Sequence, residues 1–335
     1  MIKYLGSKRT LIPLITQVVA DLTLPHATVL DLFSGTSRVG HALKSRGYRV
    51  IANDHNAYAH TLATCYVQAD AEDVLEDAAQ LVLEFNALPG RAGYFTRTFC
   101  EQSRFFQPHN GERVDAIREA IAAKSLPPEL EAVMLTSLME AADRVDSTTG
   151  VQMAYLKGWA PRAQNRLELR VPRVLPRAAS GRSLALCRDA LDAAAIAADI
   201  AYIDPPYNQH SYLGNYHVWE SLVRWDKPEV YGTACKRVDV RERRSLFNSR
   251  PAFLDAFTAL IDRVSAPVLV VSFSDEGFIT REQAEAVLSR RGSVRVIERD
   301  YKRYVGAQIG IYNPSGEKVG AVGHLRNTEF LFVVT

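Results

Sequence analysis

The chain has 335 residues, 47% of them hydrophobic and 23% charged, with a formal net charge of +2; these values belong to a globular chain with a sizeable core and exclude disordered and fibrous classes. No apolar run reaches membrane-spanning length, and the opening Met1-Ile2-Lys3-Tyr4-Leu5-Gly6 lacks the apolar core and cleavage site of a secretion signal, so a cytoplasmic protein with no membrane contact is expected. Cys65, Cys100, Cys187 and Cys235 are scattered, and His55 and His60 do not fall on adjacent helical turns, so reduced thiols and no metal are expected.

Residues 27–32 are a short apolar strand that ends at Asp31-Leu32 and turns at Ser34-Gly35, and residues 38–46 follow with helical spacing. Gly47 stops that helix. Residues 48–52 form a second strand that delivers Asn53 and Asp54 to a loop, completing a βαβ unit. Residues 69–182 read as a mostly helical insertion, bounded by catalytic segments 1–68 and 183–335. Its charge is two-sided: six acids and no base between Asp70 and Glu84, then seven bases against the lone Glu168 between Lys157 and Arg182. A second basic run, Lys236, Arg237, Arg241, Arg243, Arg244 and Arg250, could line one groove with the first. Arg162, Arg166, Arg170, Arg173 and Arg177 form either a solvated face or a set of phosphate contacts, and the second is preferred.

After the insertion, residues 184–187 and 200–203 are buried strands ending at Arg188-Asp189 and Asp204. Residues 268–273 form a strong strand and 281–291 a helix closed by Gly292; strands at 294–298 and 329–334 end the sheet. The fold class is α/β, with a mostly parallel sheet.

Two constellations carry chemistry. In the first, Asp31, Phe33, Ser34, Gly35 and Thr36 cluster at one strand end and Asp54 at the next. Open α/β sheets bind ligands at these ends, where glycine admits close backbone approach. Gly35, Ser37 and Gly40 lack the glycine spacing of a dinucleotide fold, so an adenosine carrying a cationic sulfonium suits the acidic ends better than a pyrophosphate. Plain turn chemistry is the competing reading.

In the second, Asp204-Pro205-Pro206-Tyr207 follows an apolar strand. Consecutive prolines fix an extended segment and preorganise its neighbours. The Asp204 carboxylate and the Pro205 carbonyl can each accept an N–H of an adenine amine, aiming its lone pair at a methyl group. Tyr207 can stack on that base. The bland alternative is a strand-terminating turn. Tyr212, Tyr216, His217 and Trp219 either shape the base pocket or pack in the core.

In motif order the chain resembles the Dam-like DNA adenine-N6 methyltransferases, including restriction-modification methylases. Lys3 to Arg9 is similar to the family's amino-terminal motif, Asp31 to Gly35 to its cofactor loop, Asp54 to its ribose-binding acid, Asp204 to Tyr207 to its catalytic tetrapeptide, and Ser272 to Gly277 to a later segment. Ser37 departs from a position where the family often has glycine. The resemblance implies a Rossmann-like S-adenosylmethionine-dependent methyltransferase sheet with an inserted target-recognition region. It implies methylation of adenine N6 in double-stranded DNA by base flipping, either as the companion of a cognate restriction endonuclease, which is preferred, or as a solitary methylase. Tyr4 and Lys8 would face the methionine part of S-adenosylmethionine and Asp189 its adenine. The resemblance covers about two thirds of the chain and leaves residues 69–182 without specific motifs. An RNA adenine or protein glutamine methyltransferase, or an inactive DNA-binding protein, are the alternatives; Asn in place of Asp204 would favour the glutamine substrate.

Overall fold

The structure is a computed structural model that describes residues 1–22, 26–302, 311–312, 318–320 and 326–335. Its centre is a seven-stranded sheet of β1 (Thr28–Asp31), β2 (Arg49–Asn53), β3 (Leu184–Leu186), β4 (Ile200–Ile203), β5 (Val268–Ser274), β6 (Val294–Lys302) and β7 (Arg326–Val334). The spatial order is β3-β2-β1-β4-β5-β7-β6. The first five strands are parallel, and β7 runs antiparallel to both of its neighbours. The chain therefore winds outward from β1 to β3 and returns beside β1 as β4. The carboxyl ends of β1 and β4 flank the crevice where such a reversal places a ligand.

The central strands are apolar on both faces because helices cover both. Leu30, Ile51, Ala201, Ile203, Leu269 and Val271 pack on one side with Phe253, Phe257 and Leu260. Their alternates Val29, Val50, Ile200 and Val270 pack on the other with Ile15, Val19, Val39 and Leu43. The covering helices are α1 (Ile12–Leu22) and α2 (Arg38–Lys44) on the second face, and α9 (Arg250–Arg263) and α10 (Arg281–Leu288) on the first. Between these pairs in sequence lie α3 (Ala57–Ala63), α4 (Ala71–Ala87), α5 (Pro108–Lys124), α6 (Pro128–Val145), α7 (Ala190–Ala194) and α8 (His217–Arg224).

The strands expected at 294–298 and 329–334 are longer than their apolar runs. β6 and β7 pair with each other from Lys302↔Arg326 to Val294↔Val334, whereas β7 pairs with β5 only from Glu329 onward. The extra length is a two-stranded extension at the sheet edge, where polar side chains need no apolar partner. The helix expected to reach residue 291 ends at Leu288, and Ser289 to Arg291 continue as a turn.

Between β2 and β3 the chain leaves the sheet. Helices α4, α5 and α6 share one apolar core with α3 and α8: Phe85, Phe95, Phe99 and Phe106 meet Tyr58, Tyr66, Tyr216 and Trp219. The acidic and basic halves of this excursion neutralise each other. Asp70 is buried between Lys44 at 2.9 Å and Arg177 at 2.7 Å, and Asp73 pairs with Arg177 and Arg182. Arg162 pairs with Asp146. In the second basic run, buried Arg237 is held by Asp226 and Asp239, and Arg243 by Glu220. The expectation that both runs line a groove therefore needs correction: five of their arginines are committed to internal carboxylates. Arg166, Arg170 and Arg173 stay exposed on the first run, alternating with buried Leu167, Leu169 and Val174.

Candidate active site

A cleft enclosing about 990 Å³ opens at the carboxyl ends of β1, β2 and β4. Tyr4, Lys8, Asp31, Phe33, Ser34, Gly35, Thr36, Asp54, Asp189, Asp204 and Pro206 all line it. The first sequence constellation thus meets Asp204 and Pro206 of the second in one place, whereas Pro205 and Tyr207 are not among the lining residues. The last register pair of β1 with β4, Asp31 with Tyr202, sets the two strand ends side by side.

Asp31 ends β1 fully buried, and neither carboxylate oxygen has a hydrogen-bond partner. Burial, reinforced by the negative charges of Asp204 and Asp54, pushes its carboxyl up to about 8; the nearby Gly40 and Phe33 amides, outside hydrogen-bonding geometry, offset this only in part. The buried hydroxyls of Ser34 and Ser37 also lack partners. Ser37, where the resemblance expects glycine, takes the left-handed backbone glycine would take, at φ 57.

Gly35 is left-handed too, at φ +51, and a Cβ there would stand 3.3 Å from Tyr4 Cε1. Glycine is needed for both reasons. Its amide donates to Asp54 Oδ2 at 3.1 Å, while Asp54 Oδ1 accepts from the Asn56 amide at 2.9 Å and from its side chain at 3.2 Å. Asp54 therefore ties the loop after β1 to the start of α3, with one acceptor position left on its carboxylate.

Tyr4 is stacked between Tyr212, at 5.2 Å, and Tyr216, at 4.6 Å, and its hydroxyl meets that of Tyr58 at 3.2 Å. Of the four aromatic-region residues with two readings, Tyr212 lines the cleft. Tyr216, His217 and Trp219 are buried in the core. Burial lowers His217 to about 3, so it stays neutral.

Asp204 follows β4 directly. Lys8, from the turn before α1, places its Nζ 3.2 Å from Asp204 Oδ1 and 3.1 Å from Glu329 Oε2. Burial pushes the Asp204 carboxyl up to about 6 against the pull of Lys8. Burial alone would lower Lys8, but Asp204, Tyr207 and Glu329 hold its ammonium well above the usual range. Pro205 is buried, and Tyr207 rests on Phe273 at 5.3 Å with Lys8 Nζ 5.6 Å from its ring centre. Asp189 is exposed and caps α7, accepting from the Leu191 amide at 2.9 Å.

The profile of the D12 class N6 adenine-specific DNA methyltransferase family matches residues 4–269. The chain belongs to that family. The match runs through residues 69–182, which the motifs alone leave uncovered. This D12 family chain is similar to the Type II methyltransferase M.FokI of Planomicrobium okeanokoites, at 29% identity over 323 residues, covering 90% of this chain and 49% of the relative. It is similar to M.NlaIII of Neisseria lactamica at 29% identity and to M.CviAII of Paramecium bursaria Chlorella virus 1 at 27%, each alignment covering 90% of this chain and 92% of the relative. The chain thus spans about half the length of M.FokI and nearly all of the other two.

The structure also brings in residues that the motifs did not single out. Asn53 stitches three strand ends together: its amide donates to the Leu32 and Arg188 carbonyls, each at 3.2 Å, and accepts from the Arg188 amide at 3.2 Å. Arg243, Phe247 and Asn248 reach the cleft from the segment between α8 and α9. Phe247 packs edge-on against Phe33 at 5.2 Å, and Asn248 donates to the carbonyls of Asn208 and His210 at 2.8 and 3.2 Å. Glu329 was visible only as a lone acid heading the apolar run Phe330 to Val334.

Proposed function

We propose that this D12 methyltransferase moves the methyl group of S-adenosylmethionine to N6 of an adenine turned out of double-stranded DNA, as the modification partner of a restriction endonuclease. The observation that carries the reading is the meeting of Asp204, steadied by Lys8 at 3.2 Å, with the unpartnered carboxylate of Asp31 in one cleft. The order of the sheet, with its antiparallel β7, supports a Rossmann-like methyltransferase architecture.

The residues present fit S-adenosylmethionine. Two orphaned acceptors on Asp31 suit a cationic donor, the free hydroxyls of Ser34 and Ser37 suit a polar ligand, and the backbone at Gly35 leaves no side chain in its way. Tyr4, Lys8, Phe33, Thr36, Asp54 and Asp189 complete the binding wall, with Asp54 offering its remaining acceptor position to a ribose hydroxyl. When bound, the cofactor supplies an electrophilic methyl on a sulfonium.

The adenine amine is a weak nucleophile because its lone pair is delocalised into the ring. Asp204 and the Pro205 carbonyl each accept a hydrogen bond from one of its N–H groups and favour the tetrahedral nitrogen of the transition state, and the proton that the methylated nitrogen must lose leaves by way of the Asp204 carboxylate. Pro205 and Pro206 fix that geometry, so little reorganisation is left for the reaction itself. Tyr207, backed by Phe273, offers a ring to the extruded base, a contact worth about 1–3 kcal/mol that offsets part of the unstacking cost. Residues 69–182 form the target-recognition region, with Arg166, Arg170 and Arg173 as its phosphate contacts.

Expression in a bacterial host lacking adenine methylation, followed by modified-base sequencing, tests the reading. N6-methyladenine confined to one short sequence, and absent with Asp204→Ala, is expected. Unmodified DNA from cells that make folded, cofactor-binding protein would overturn it in favour of an RNA substrate.

A further inference from the structure

Glu329 lies on β7, outside the family match and outside every motif. It is 8% exposed, opposite Ser274 on one neighbouring strand and Arg299 on the other. A carboxylate so placed costs free energy unless it is paired. Its partner is the Lys8 ammonium at 3.1 Å, the same ammonium that stands 3.2 Å from Asp204 Oδ1. One cation is thus divided almost evenly between two anions. An ammonium has three donors, so it can serve both.

The division matters for the chemistry. A lysine facing Asp204 alone would pair with it more closely and withdraw more of the negative charge that must attract an amine hydrogen. With Glu329 on the far side, Lys8 still orients Asp204 but leaves it acceptor capacity. We propose that Glu329 is a positioning residue for methyl transfer, drawing the Lys8 ammonium partly off Asp204 so that the carboxylate stays oriented and open to the target amine. This rests on the functional reading above. Among the described residues, the other ionisable groups facing Asp204 are Asp31 from β1, Tyr202 from β4 itself, Tyr207 from the same loop and Tyr212 from the turn beyond it.

Glu329→Gln keeps the shape and removes the charge. Two effects separate this role from a merely structural one. The plateau of kcat falls about 10- to 100-fold as Lys8 settles onto Asp204. The acid limb of the kcat profile moves to lower pH, because Asp204 has lost a neighbouring anion. KM for S-adenosylmethionine changes little.

The experiment is steady-state methylation of double-stranded DNA with S-adenosylmethionine from pH 5 to 8.5, with melting temperatures, for wild type, Glu329→Gln, Lys8→Met and the double variant. Because Glu329 acts through Lys8, the double variant is expected to be no slower than Lys8→Met. An unchanged kcat plateau and acid limb in Glu329→Gln, or losses that multiply in the double variant, would overturn the proposal. If Glu329→Gln melts below the assay temperature, the double variant, with one buried anion fewer than Lys8→Met, decides: activity at or above the Lys8→Met level supports the proposal and activity below it refutes it. Wild-type inactivity on DNA strikes the functional reading itself, an outcome distinct from a normal Glu329→Gln beside an active wild type.

Discussion

Replacing Asp31 with Asn should make the free protein more stable while weakening the cofactor site proposed for it. The folded chain raises this carboxyl from 3.8 to about 8, so at pH 7 the native state holds a proton that the unfolded chain has released. Roughly 3 pKa units at 1.36 kcal/mol each set an upper bound of about 4 kcal/mol on the penalty. The sign follows from an acid whose folded value lies above its unfolded one. The penalty is absent below pH 3.8, grows as pH rises, and levels off above about 8. Between pH 7 and 8 unfolded histidines and cysteines titrate as well, so the share of the slope that belongs to Asp31 is the difference between wild type and Asp31→Asn. Across that interval wild type should lose about 1 kcal/mol relative to the variant, read as a gap in melting temperature that widens with pH. Asp31→Asn should melt about 2–6 °C higher at pH 8 and lack that share of the slope. Calorimetry should also find S-adenosylmethionine binding weakened about tenfold or more in the variant, since an amide, unlike Asp31, cannot release a proton and become an anion beside a bound cation. A variant that melts below wild type at pH 8, or that keeps the full slope, would refute the reasoning.

Asp204→Asn should cut single-turnover methylation about 100-fold or more with the fold retained; wild-type kcat should fall as pH drops through about 6, where the carboxyl gains its proton, and the variant should lack that limb. Asp70→Ala strands the buried Lys44 ammonium, now 2.9 Å from that carboxylate, and urea denaturation should show a loss of about 3–5 kcal/mol. Despite burial, Arg177 and Lys44 hold Asp70 below the usual carboxylate range, so its stabilisation is present at neutral pH and disappears only in acid below that range. Gly35→Ala places a Cβ 3.3 Å from Tyr4 Cε1 on a left-handed backbone; a loss of about 1–2 kcal/mol and a raised KM for S-adenosylmethionine should appear together, in melting and steady-state assays.

The sheet was legible because its central strands are short apolar runs that end in chemistry-bearing residues: Asp31, Asn53 and Asp204 fall at or just after β1, β2 and β4. Their meeting in one cleft follows from strand order, which right-handed crossovers restrict to few arrangements. The polar edge was harder to read. β6 carries Arg295, Glu298, Arg299 and Asp300, and its length is set by pairing with β7 rather than by apolar content. Charge partners were illegible for a related reason. Arg177 and Asp70 lie 107 residues apart in sequence, and nothing local in either run says that one neutralises the other. Glu329 went unnoticed for the same cause, since its partner Lys8 lies 321 residues away.

The core between α3, α8 and the helices inserted after β2 has a consequence for the proposal that residues 69–182 recognise the target. Tyr216 belongs to that core and is also the ring on which Tyr4 rests at 4.6 Å, while Phe106 and Trp219 lie 6.2 Å apart across it. The inserted helices are thus a buttress for the cleft and cannot be exchanged as a cassette. Substitution is free at the surface of the insertion, at positions such as Arg166 and Arg170, and constrained beneath it. A graft that swaps the helices wholesale must carry matching replacements at Tyr58, Tyr216 and Trp219, or it will unseat Tyr4 while leaving every motif of the catalytic half intact.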